Sequence, residues 1–175
     1  VSRKIAQGLG ELLRYKKGES ATMVYFLAFV IGIIAGLRTM TAPAAVSWAA
    51  YLGFLNLDGS WLAFMGYRFT PWIFSLLALG EFITDQLPST PSRKVPIQFG
   101  ARIVSGALSG ATLGAASNAL LGGLAAGVVG AVLGTLGGAA ARSRLATALG
   151  RDLPAALIED AIAIIGAILV VGILR

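Results

Sequence analysis

The chain has 175 residues, of which 57% are hydrophobic and only 13% charged, against about 25% charged in an ordinary soluble domain. It has no cysteine and no histidine, which excludes a disulfide framework, a Cys/His metal site and thiol or imidazole catalysis. The net charge of +6 would suit a nucleic-acid binder, but the basic residues lie at the ends of apolar segments, where the excess of Lys and Arg in cytoplasmic loops explains them better.

With a mean hydropathy of +0.81 and 23 glycines set among Ala, Leu and Val, the sequence predicts an all-α, polytopic membrane helix bundle. Residues 1–22 read as a basic amphipathic segment. Ile5, Leu9, Leu12 and Leu13 recur at helical spacing beside Arg3, Lys4, Arg14, Lys16 and Lys17. Such a segment either lies on a membrane surface, with anionic lipid held along residues 1–17, or forms a tail. The pattern does not fit a signal peptide, and Met23 offers an alternative start.

The transmembrane domain is expected over 23–175. Its first span begins MVYFLAFVIGIIAGL, with Gly32 and Gly36 as a close-packing pair. Arg38 follows too deep to be an ordinary flank, and Pro43 disfavours helical geometry at Ala42. Residues 38–57 are therefore read as a broken or re-entrant helix, with a plain helical hairpin as the alternative. Trp61, Tyr67, Arg68 and Trp72 have the character of a headgroup belt.

The segment Pro71 to Pro88 is the most informative. Glu81 and Asp85 stand four residues apart in an apolar helix, on one face and about 6 Å apart in rise. A loop with prolines 88, 91 and 96 and the pair Arg93-Lys94 comes next. Residues 99–122 and 123–141 then read as two glycine-striped helices. Gly106, Gly110 and Gly114 lie on one, and Gly130, Gly134 and Gly138 on the other, joined by a turn at Gly122-Gly123. The last helix, 154–174, carries Glu159 and Asp160 near its start, where the positive helix end favours acids.

With 38–57 not crossing, about five helices span. A cytoplasmic N-terminus then puts Arg93, Lys94, Arg102, Arg142, Arg144 and Arg151 on the cytoplasmic side. Residues 31–53 align loosely with 129–150, Gly32 and Gly36 falling on Gly130 and Gly134. In this topology the two halves would form an inverted repeat of the kind transporters use.

Four stretches together carry a resemblance. GLRTMTAPAAVSWAA, ALGEFITDQLPSTPSR, RIVSGALSGATLG and RDLPAALIEDAIAI resemble a bacterial family of small membrane proteins known as domain-of-unknown-function family 4126. The likeness covers roughly residues 25–172. It implies an integral protein of the bacterial cytoplasmic membrane with no established activity, and it supplies no catalytic residues.

Two functions follow from these residues. In the first, the chain is a small cation- or proton-coupled transporter or channel. Glu81, Asp85, Glu159 and Asp160 form its intramembrane site, with Arg38 or Arg102 as gate or counter-charge and Thr39, Thr41 and Ser47 adding oxygen ligands. In the second, it is a structural or assembly subunit packing through its glycine faces, as a homo-oligomer or on a membrane partner, and the acids merely neutralise buried arginines. No nucleophile–base pair suggests an enzyme, and nothing points to a cofactor.

Overall fold

The computed structural model describes residues 21–85 and 95–175. The basic amphipathic segment falls outside the described residues except for its last two positions, and most of the Arg93-Lys94 loop also lies outside them. The described residues are all-helical. In chain order they form α1 (Ala21–Leu37), α2 (Thr41–Tyr51), a 3-10 segment (Trp61–Gly66), α3 (Thr70–Thr84), α4 (Pro96–Ala115), α5 (Leu120–Leu149) and α6 (Asp152–Leu174).

The break between α1 and α2 has a local cause. Pro43 has no N–H to give the carbonyl four residues back, that of Thr39, and its ring crowds that same carbonyl. The helix cannot run through, so it stops at Leu37 and restarts at Thr41, with Pro43 tolerated in the new first turn. The expected interruption after Leu37 is thus present. α2 turns into the bundle and packs on α3, α4 and α6. Seven of its eleven residues are buried, Thr41, Ala42, Pro43, Ala44, Val46, Ser47 and Ala49.

α3 runs antiparallel to α2. At one end Glu81 meets the backbone of Thr39 and Met40. At the other, Trp48 Nε1 donates to Ser75 Oγ at 3.0 Å, and the Trp48 and Trp72 rings meet edge to face at 5.1 Å. The Ser47 hydroxyl donates to the Met65 carbonyl at 2.6 Å and ties α2 to the 3-10 segment. Ser47 is therefore committed to that carbonyl and is not grouped with the acids.

Glycines bring α1, α4 and α5 into backbone contact. A Cβ on Gly127 would stand 2.1 Å from the Gly106 carbonyl oxygen, and one on Gly32 would stand 2.2 Å from the Gly127 carbonyl oxygen. Gly110 and Gly114 meet Gly123 in the same way, and Gly36 meets Ala131, Gly134 and Thr135. Gly138 is buried further along α5. The order of these contacts fixes direction. Numbers rise on α4 as they fall on α5, so those two are antiparallel, whereas Gly32 to Gly36 run alongside Gly127 to Gly134 in the same sense.

Three expectations are corrected here. Two described helices, not about five, are long and apolar enough to cross a membrane, namely α5 and α6. α1 and α3 are apolar but shorter, and α4 is diluted by Gln98, Arg102 and its Ser and Thr residues. The repeat is not inverted where it can be seen, because the aligned glycines of α1 and α5 lie on parallel helices. Their contacts are reciprocal: Gly32 meets Gly127, and Gly130 meets Phe29. This is how two parallel G-x-x-x-G helices pack, so the sequence echo is the packing motif itself.

The third correction concerns the turn after α4. Asn118, with φ 56, takes the left-handed position there, and Gly122 and Gly123 lie inside α5. That helix also runs on to Leu149, because nothing after Arg142 breaks it before Gly150 at φ 68.

α5 and α6 are apolar yet turned outward. Only 33% and 28% of their most hydrophobic stretches are buried, and α6 exposes Ile162, Ile165, Ile168, Leu169 and Ile173. A core helix of a water-soluble protein would hide that face. The two helices suggest membrane association.

Candidate functional site: a buried ion network at the helix break

Helix ends are polar, and a break inside a bundle exposes two of them at once. The last carbonyls of α1 and the first amides of α2 have no helical partners. Left unpaired in a buried place, each would cost about 1–3 kcal/mol. The chain fills them with side chains from two other helices.

Arg102, from the second turn of α4, donates through one terminal nitrogen to the carbonyls of Gly36 at 2.9 Å and Leu37 at 2.7 Å. The Ser105 hydroxyl, one turn on, donates to the Thr39 carbonyl, the group that Pro43 leaves open. Glu81, near the end of α3, takes the amides. Its two carboxylate oxygens accept from Thr39 N at 2.7 Å and Met40 N at 2.8 Å.

Arg38 sits in the break itself and is fully buried. It pairs with Asp85 of α3 through one terminal nitrogen, and with Asp160 of α6 through the other and through Nε. Its guanidinium also lies 5.4 Å from the Phe82 ring centroid, a cation–π position. Arg102 closes the network on the other side, 3.7 Å from Glu81 and 4.0 Å from Asp85. Three carboxylates therefore surround two arginines, a formal charge of −1 when all five groups are ionised.

The structure brings together Arg38, Glu81, Asp85 and Asp160. Arg102, expected as a gate or counter-charge, is central. Thr39 contributes backbone rather than a side-chain oxygen. Thr41 is buried at the start of α2, and its hydroxyl has no hydrogen-bond partner.

Glu159 faces another way. It lies 3.8 Å from Arg142 of α5, which also holds Asp152 through two hydrogen bonds of 3.0 and 2.6 Å. The Arg142–Asp152 pair staples the α5–α6 turn. Because the Asp152 side chain is 64% exposed, Asp152→Asn is expected to shift thermal unfolding by no more than about 1 kcal/mol equivalent.

Sequence reading missed Ser105 and the two amides. One signal pointed to Ser105: a proline four residues after a carbonyl marks that carbonyl as needing an outside donor. Among the described residues, no three or more acidic side chains are placed to hold a metal ion.

No protein-family model matches this chain, and no curated protein or solved structure does.

Proposed function

We propose that this chain is a small integral membrane protein, of the kind its resemblance to family 4126 implies, which couples transport to protonation of the Arg38 cluster. The observation that supports this reading is the charge balance at the helix break. Glu81, Asp85 and Asp160 face Arg38 and Arg102, and all five side chains are at least four-fifths buried. An unbalanced charge in such surroundings is expensive. A proton or a monovalent cation restores neutrality, and an interrupted helix is where transporters place such sites.

On this reading α1, α3 and α4 also lie within the bilayer, wrapped around α2, with the apolar faces of α5 and α6 toward lipid. The ends of α1 and α3 and the start of α4 meet at the cluster. Arg142, Arg144 and Arg151 follow on α5 and the α5–α6 turn, and Arg93 and Lys94 join α3 to α4. The start of α1 lies at the opposite end, where Tyr25 packs on Gly122 beside the α4–α5 turn. The sequence before α1 carries Arg3, Lys4, Arg14, Lys16 and Lys17, so basic residues attach to both ends of the bundle and the positive-inside rule selects neither.

A second reading has its own support. Each carboxylate of the cluster has an arginine or amide partner, as a structural lock would. Proton flux separates the two. Purified protein in liposomes, given a pH gradient and a potential set by potassium and valinomycin, is expected to move protons. Asp160→Asn, which removes the excess charge, is expected to abolish that flux while the protein stays folded. Folded wild-type protein with no flux under any gradient would leave the lock as the function of the cluster.

A further inference from the structure

The two arginines of the cluster bond to different chemistry. Arg38 donates through Nε to Asp160 and through one terminal nitrogen to Asp85, with its other terminal nitrogen in ion-pair contact with Asp160. Arg102 spends one nitrogen on the backbone of α1, at the Gly36 and Leu37 carbonyls, and turns another toward Glu81 at 3.7 Å. Glu81 in turn holds the amides of Thr39 and Met40, in the break just before α2. The path from the end of α1 to the start of α2 therefore runs carbonyl, Arg102, Glu81, amide. A two-side-chain relay stands where an unbroken helix would have backbone hydrogen bonds. α5, which packs parallel to α1, runs unbroken through the corresponding level and has no such relay.

The relay ties the break to its neighbours. Arg102 belongs to α4 and Glu81 to α3, so the position of α2 relative to α1 follows the position of α3 relative to α4. Lysine could serve the two carbonyls from its one nitrogen but has no second nitrogen to turn toward Glu81 at the same time.

We propose that Arg102 is the positioning residue of this site: with Glu81 it latches the broken helix, while Arg38, hydrogen-bonded to Asp85 and Asp160, supplies the main counter-charge to the acids that exchange a proton. The division of labour rests on the protonation reading above. The latch itself rests only on the backbone contacts. The charged groups around the latch are Arg38 from the break, Glu81 and Asp85 from α3, Asp160 and Glu159 from α6, and Arg142 from α5.

Two measurements on the full chain in lipid nanodiscs test this. The first is hydrogen–deuterium exchange at the Thr39 and Met40 amides. Arg102→Lys is expected to speed exchange at both by on the order of tenfold to a hundredfold, the range that a lost charge-assisted hydrogen bond gives. Arg38→Lys is expected to leave both within about threefold of wild type, because Arg38 touches neither carbonyl nor amide on this path. If Arg102→Lys does not fold, Glu81→Gln reads the same latch. It keeps one acceptor oxygen and should release one of the two amides, not both. Wild-type exchange in Arg102→Lys or Glu81→Gln, or equal acceleration in Arg38→Lys, would overturn the latch.

The second measurement is the pH profile of proton flux in liposomes. Arg38→Lys is expected to move the midpoint, because it alters the charge partner of the exchanging acids. Arg102→Lys is expected to lower the maximum rate at an unmoved midpoint, because it loosens geometry. The reverse pattern would overturn the division of labour. Absence of wild-type flux would remove the protonation reading and with it the role given to Arg38, and the exchange result would decide the latch alone.

Discussion

Arg38→Met is expected to be among the most damaging single substitutions in this chain. Methionine fills much of the same volume but, among the described residues, takes away the only cation bonded to Asp160 and the nearer of the two beside Asp85. Both carboxylates would remain buried with little to balance them. Removing one partner of a buried ion pair costs about 3–5 kcal/mol, a large part of the 5–15 kcal/mol that holds a typical domain together. The purified variant should unfold at a much lower temperature in mild detergent, or fail to yield a monodisperse peak.

A combined variant distinguishes a lost attraction from a stranded charge. Arg38→Met with Asp85→Asn and Asp160→Asn removes the cation and both anions it served. Replacing a whole buried ionic set by neutral groups is often close to neutral in stability, so the triple variant should recover most of the loss. If Arg38→Met alone unfolded like the wild type, the cluster would not be buried as the structure has it. If the triple variant were worse than the single one, Asp85 and Asp160 would have partners more important to them than Arg38.

This cluster also shows what the sequence could and could not reveal. Glu81 and Asp85 were legible as a pair because i and i+4 share a helix face whatever surrounds them. Arg38 was legible because an arginine that deep in an apolar run needs a partner. Which partner was not legible, since Asp160 lies 122 residues away and meets it only through the packing of α6. Glu159 and Asp160 looked equivalent, but consecutive helix positions point about 100° apart, so one faces Arg142 and the other Arg38. At Gly122-Gly123 a pair of glycines looks like a turn and is instead two packing surfaces, against Tyr25 and Gly110. The span count failed for a related reason. A bundle whose helices can be short, interrupted and polar on the inside does not announce each member by hydropathy, and only α5 and α6 do.

Those glycines give the second large effect. Gly127 stands at the crossing of three helices. A Cβ there would lie 2.1 Å from the Gly106 carbonyl oxygen and 3.0 Å from Gly110 Cα. Both are backbone atoms and cannot rotate aside. Gly127→Ala therefore forces α4 away from α5, and the gap spreads to Gly32 on α1, which touches Gly127 directly. Overpacking costs about 1–3 kcal/mol where side chains can adjust, and here the neighbours are backbone, so the upper end is expected.

The matching control lies ten residues on. A Cβ on Gly137 meets nothing within 4 Å, and alanine is favoured over glycine in a helix by about 1 kcal/mol. Gly137→Ala should leave thermal stability unchanged or raise it, with Gly127→Ala lowered on the same scan. Because α4 carries Arg102, the separation caused by Gly127→Ala should also reach the helix break and speed exchange at Thr39 and Met40. An alanine tolerated at both positions would mean that the three helices do not approach at backbone distance. In that case Arg102 could not reach the carbonyls of Gly36 and Leu37 either, because α5, in contact with both helices, sets the spacing of α4 and α1 that puts it there.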